Sequence, residues 1–182
     1  LGALESRFLL FTDKPLQVGA MPLATLRQHA RTRIALDPAW SVSVAGQPQG
    51  AAGELPLLRE LPYQEGGPTQ LAYATTFDDP RVTPGERVLL DLGAVAGIAQ
   101  LELNGQSFDA RVFDPFLFDV TAALRAGDNQ LRLVITPPLR NSLVNSPDAR
   151  HAELQQYRDE LGRVGLAGPV SLLLLPSAAD QP

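Results

Sequence analysis

There is no cysteine in this 182-residue chain, which excludes disulfides, thiolate metal sites and cysteine nucleophiles while leaving the redox compartment open. Histidine is almost as scarce. His29 and His151 stand alone, without the His-x-x-x-His or carboxylate-histidine spacing of a metal site, and each reads as a surface residue. No Gly-x-Ser-x-Gly elbow is present, so a serine nucleophile has no support either. Aromatic residues amount to 6%, with one tryptophan and three tyrosines, which leaves little for a flat sugar-stacking platform. Basic residues form no cluster, and the net charge of -5 offers no footprint for a phosphate backbone, so nucleic acid is excluded as a partner.

Long apolar runs are missing too. Val170-Ser-Leu-Leu-Leu-Leu-Pro176 is strand length and far below the ~20 residues of a membrane-crossing helix, so no membrane partner is expected. Leu1-Gly-Ala-Leu4 lacks the charged start and apolar core of a signal peptide, and there is no initiator methionine; the chain is expected to be cut from something longer.

What is present is ordinary globular composition, with 45% hydrophobic and 19% charged residues, and a series of short strands between turn signals. Arg7–Phe11, Trp40–Val44, Gln70–Phe77, Arg87–Leu92 and Ile98–Leu103 read as strands. In the second, Trp40, Val42 and Val44 share one face and Ser41 and Ser43 the other, which places Trp40 in the core. Asn104-Gly105 predicts a type I′ hairpin, with Ser107 to Val112 running back antiparallel. Asp119 to Gly127 predicts one helical turn capped by Asp119. Leu131, Leu133 and Ile135 then line one face of a strand that Pro137-Pro138 ends. Ser146-Pro147-Asp148 predicts a helix start, with Leu154, Tyr157, Leu161 and Val164 at helical spacing, packed on the surface of the sheets. The unbroken apolar run Val170 to Leu175 suits a central strand.

Two stretches read as excursions, Pro15 to Ala39 and Gly46 to Pro68; Leu23, Leu26 and Ala30 offer one face of a short helix in the first, and Gly46 to Gly53 reads as a flexible loop in the second. The expected fold is an all-β sandwich with one peripheral helix near 147–164. Residues 40–176 form the sandwich, 1–39 an N-terminal arm or strand that could end a preceding domain, and 177–182 a frayed tail.

Chemistry is harder to find. Asp78-Asp79-Pro80 has the composition of a turn, and Asp119 that of a cap, while Asp114 and Asp119 flank Pro115–Phe118. Glycosidases need two carboxylates held roughly 5 to 10 Å apart, a condition some pair among 20 acidic residues always meets. Arg140-Asn141 begins a long loop at a strand end, where binding residues concentrate, and the loop runs from Leu139 to Asn145.

Leu103-Asn-Gly105, Asp114-Pro-Phe-Leu-Phe-Asp-Val-Thr121 and Leu124-Arg-Ala-Gly-Asp-Asn-Gln-Leu131 together resemble the sugar-binding jelly-roll domains of glycoside hydrolase family 2 and, more closely, the C-terminal sandwich of family 106 α-L-rhamnosidases. Gln70–Phe77, Thr136–Val144 and Gly165-Leu-Ala-Gly-Pro-Val170 are similar to further strands of that pattern. The resemblance implies a galactose-binding-like domain without catalytic residues, attached to the catalytic domain of the same polypeptide and located outside the cytoplasm. It implies no cofactor; calcium would be structural, and no spaced calcium loop is present. Carbohydrate contacts are expected from Arg140, Asn141, Asn145 and Asp114. The alternatives are an autonomous carbohydrate-binding module and a small stand-alone hydrolase.

Overall fold

A computed structural model describes residues 23–36, 39–52, 55 and 57–176. The chain is an all-β sandwich. A short helix α1 (Leu23–Leu26) precedes β1 (Thr32–Ala35), β2 (Trp40–Val44), β3 (Gln47–Ala52), β4 (Leu71–Phe77), β5 (Arg87–Asp91), β6 (Ala94–Ala96), β7 (Ile98–Leu103), β8 (Gln106–Ser107), β9 (Leu117–Asp119) and β10 (Asn129–Thr136). Helix α2 (Arg140–Leu143), β11 (Gly165–Gly168) and β12 (Ser171–Leu175) complete it. One layer has the order β3-β2-β4-β10-β7-β8, the other β1-β12-β5-β9, and β11-β6 form a two-stranded ribbon. The chain crosses repeatedly between the layers, which is the connectivity of a jelly roll.

Period-2 patterning explains the interior. Trp40, Val42 and Val44 meet Leu71, Tyr73, Leu101, Leu133 and Ile135 from neighbouring strands, and all face Val88, Leu90, Phe118 and Leu172 across the gap. Trp40 is core, as its alternation predicts. β12 departs from alternation because its layer is covered on both sides: Leu172 and Leu174 enter the main core, while Leu173 and Leu175 pack with Leu89, Leu117 and Leu26 outside it. Thus α1 is the cover, and β1, within the stretch expected as an arm, pairs antiparallel with β12.

Asn104 and Gly105 adopt φ of 54° and 84° at the β7–β8 turn, the positive values a type I′ hairpin requires. The returning strand is only two residues long, with a separate bridge from Arg111 to Ala99. Asp119 ends β9, and the turn that follows is a three-residue 3-10 helix, Thr121–Ala123, whose cap position is Val120; the Asp119 carboxylate still accepts from the Thr121 amide at 3.2 Å and hydroxyl at 2.6 Å.

Other expectations are corrected. Gly46 to Gly53 is not a free loop: Gln47–Ala52 forms an edge strand beside β2, where Pro48 is tolerated because no further strand needs its amide. The helix near 147–164 is a 3-10 helix, Ala149–Glu160, capped by Asp148, and it buries none of its residues. Leu161 and Val164 are buried only after the helix has ended. At three residues per turn, the four-residue steps that aligned Tyr157 with Leu161 no longer share a face. Hydrogen bonds from Arg150 hold the Asp148 carboxyl down to about 2. Arg7–Phe11 and 177–182 lie outside the described residues.

Candidate functional site

Pro137-Pro138 ends β10 next to Gly97, which joins β6 to β7, and here the backbones crowd. A Cβ on Gly97 would stand 2.7 Å from the Ile135 side chain and 2.9 Å from the Thr136 carbonyl. Two grooves meet at Gly97 and Pro138. The first, about 490 Å³, is lined mainly by Val95, Ile98, Val112, Phe113, Phe116 and Pro137, with Asp114 on its wall. The second, about 320 Å³, is lined by Ala96, Arg140, Asn141, Leu161, Arg163 and Val164, among others.

The large hydrophobic side chains exposed among the described residues are Ile98, Val112, Phe113, Leu139 and Tyr157, and Phe113 is the most exposed at 63%. All gather here. Ile98, Val112 and Phe113 line the first groove, Leu139 joins Pro138 to Arg140, and Tyr157 carries the Arg140 guanidinium at 5.2 Å from its ring centroid. The chain exposes Phe113 because Arg111 is already fixed by its bridge to Ala99 and by its Nε bond to the Leu117 carbonyl, so the intervening residues turn outward.

The four residues expected to contact sugar have different fates. Asp114 is exposed and accepts from Arg27 Nη1 at 3.1 Å. That arginine also donates to both oxygens of buried Asp91, at 2.9 and 2.8 Å. Burial pulls the Arg27 guanidinium down, but the two aspartates outweigh it and hold it above its ordinary value. Arg140 pairs with Glu160 at 3.3 Å. Asn141 is buried, and its amide donates to the carbonyls of Arg59 (2.6 Å) and Gly162 (2.9 Å). Asn145, one helical turn on, donates to the Leu61 carbonyl at 2.9 Å. The stretch read as a loop is therefore helix α2 followed by a turn, and Asn141 in the helix and Asn145 in the turn bond to the 59–61 segment. Asp114 lines the first groove, Arg140 and Asn141 line the second, and Asn145 lines neither.

Phe113, Ile98 and Tyr157 escape sequence reasoning. Two adjacent apolar residues before Asp-Pro carry no periodic signal for which faces out. Elsewhere, Asp78, Asp79 and Asp128 surround a cleft of about 490 Å³ at one end of the sandwich, with Asp79 accepting from the Arg81 amide at 3.0 Å as a turn residue. Among the described residues, no three His, Asp or Glu side chains are grouped to hold a cation, and no helix is long and apolar enough to cross a membrane.

No family model and no curated protein matches the sequence. Solved structures do match. A rhamnosidase from Novosphingobium sp. PP1Y shares 22% identity over 79% of this chain with a TM-score of 0.61. The β-D-glucuronidase of Dictyoglomus thermophilum shares 15% over 81%, with a TM-score of 0.54, and the β-glucuronidase of Ruminococcus gnavus 16% over 81%, with a TM-score of 0.56. The chain spans 15%, 28% and 29% of those three proteins, so the likeness is to one domain of each larger glycoside hydrolase. At such identities the likeness is one of fold.

Proposed function

We propose that this chain is a non-catalytic ancillary β-sandwich of a larger carbohydrate-active enzyme, a glycoside hydrolase of the α-L-rhamnosidase type, and that it braces the catalytic domain of the same polypeptide. The observation that carries this reading is the grouping of three exposed large hydrophobics, Ile98, Val112 and Phe113, in the groove beside Gly97 and Pro138. Contiguous exposed apolar surface marks an interaction site, and aromatic residues and arginine are what interface centres favour. Arg140 stacked on Tyr157 and Phe113 beside the first groove fit that composition. The domain-sized share of each structural neighbour supports a covalently attached occupant. Asp114 and Arg140 stand at the grooves, where they would form the polar rim or reach a bound sugar.

An autonomous carbohydrate-binding module is less well supported, because Trp40 and Tyr73 are buried and no flat aromatic platform is formed among the described residues. The test uses the full-length gene product. Phe113→Asp is expected to loosen the contact by about 2 kcal/mol, the loss typical of a central aromatic anchor. In differential scanning calorimetry the catalytic domain then melts earlier or separates into its own transition, while the melting of the sandwich is unchanged. Coincident, unshifted transitions in the variant would count against bracing. Turnover of aryl glycosides by the purified 182-residue chain would sink the non-catalytic reading.

A further inference from the structure

We infer that the outward face of the six-stranded sheet is a shallow subsite for a neutral glycan chain, an inference that rests on the carbohydrate-active reading above but uses a surface apart from the grooves. Across this face, Ser41 on β2 pairs with Ala74 on β4, Ala74 with Arg132 on β10, and Arg132 with Glu102 on β7. In the next solvent-facing row, Thr76 lies opposite Gln130. Ser41, Ala74 and Thr76 are short and Gln130, Arg132 and Glu102 are long, and together they line a trough of about 450 Å³. That volume is within the range of small-molecule clefts.

Chemistry selects the occupant. Arg132 is only a donor, Glu102 only an acceptor, and the Gln130 amide is both; neighbouring sugar hydroxyls need donors and acceptors side by side. Among the described residues, these three side-chain polar groups make no hydrogen bond or ion pair with other protein groups, whereas Arg27, Arg31, Arg33, Arg87, Arg140, Arg150 and Arg158 are ion-paired. One positive and one negative charge in the same row leave the trough balanced, which matches an uncharged polyol better than an anion or a basic peptide. A protein partner is disfavoured because the exposed large hydrophobics lie at the grooves, not here. The registered antiparallel strands fix the spacing of the backbone positions from which these side chains rise. Without an aromatic stack, binding is expected in the millimolar range.

The experiment is an amide-resolved NMR titration of the 182-residue chain with cellohexaose, xylohexaose and mannohexaose, separately. Expected shifts cluster at Ser41, Ala74, Thr76, Glu102, Gln130 and Arg132 for at least one probe. Arg132→Ala should weaken that binding by about tenfold, the scale of one charge-assisted hydrogen bond. Ala74→Ile, which fills the trough and suits a strand, should abolish it, while Phe113→Asp leaves it unchanged. Unaltered spectra away from the substitutions show that the variants fold. No shift with any of the three probes overturns the subsite, as do shifts confined to Asp114 and Arg140 or binding that survives Ala74→Ile. None of these outcomes bears on bracing, which calorimetry of the full-length product tests separately.

Discussion

Asn129 is a small residue with a large share of the fold's polar order. Wholly buried at the start of β10, it donates to the carbonyls of Arg125 and Gly127 at 3.0 Å each, and accepts from the Arg125 amide and the Asn104 amide side chain at 2.9 and 2.8 Å. Asn104 in turn donates to the Ala123 carbonyl and accepts from the Gln130 amide. The hairpin, the 3-10 turn and β10 are tied through this pair. Asn129→Ala strands several buried partners, and a loss of about 3 kcal/mol or more is expected in urea unfolding. Asp119 makes a pH-dependent contribution. Its partial burial raises the carboxyl, but the Thr121 hydroxyl and Arg87 outweigh that and hold it below the ordinary range. A lowered native value contributes stability that is complete above the unfolded value of about 4 and is lost as pH falls through the lowered one. Asp119→Asn should therefore flatten the stability curve below about pH 4. Both partners are about half exposed, so the change is a modest one, and an unchanged slope would remove Asp119 from the account.

At the scale of elements, close approach and cover decide more than propensity. Gly93 follows β5 with φ of 66°, and a Cβ there would stand 2.4 Å from the Gly168 carbonyl carbon. Backbone cannot yield to that, so Gly93→Ala is expected to cost about 3 kcal/mol or more, seen as a drop in the urea midpoint with an unchanged slope. Helix α1 shows what the outer side of the smaller sheet requires. Leu26 closes a cluster with Leu89, Leu117, Leu173 and Leu175, and Arg27 anchors beside it on buried Asp91. Leu26→Ala should destabilise the whole sandwich by about 2 to 4 kcal/mol, as core leucine truncations do. If 23–36 were only an appended arm, the melting temperature in calorimetry would not move. The run from Ser171 to Leu175 already announced a two-sided strand, but nothing in it named α1 as the cover. The 3-10 helix Ala149–Glu160 is the opposite case. Its leucine and tyrosine spacing suited an amphipathic helix, yet the buried Leu161 and Val164 come after its end, where Val164 bridges Leu58.

For the whole molecule, two surfaces stand apart. One is apolar and gathered around Gly97 and Pro138; the other is polar and lies flat across the larger sheet. Period-2 alternation in β2, β7 and β10, the Asn104-Gly105 hairpin and the Pro137-Pro138 stop were legible in the chain, because each depends on neighbours a few residues away. They determine an all-β sandwich and which side chains enter its core. Of the candidate site, the strand end at Pro138 was legible; that Asp114 lines one groove and Arg140 and Asn141 the next was not, and the bonds of Asn141 and Asn145 go to the carbonyls of Arg59 and Leu61, more than 80 positions away, and of Gly162, 21 positions away. The exposure of Phe113 and Tyr157 depends likewise on distant elements. Local order follows from dihedral preference and periodicity, which the sequence by itself carries. Which apolar residues remain uncovered is set by the packing of every layer at once, and only the tertiary structure decided it.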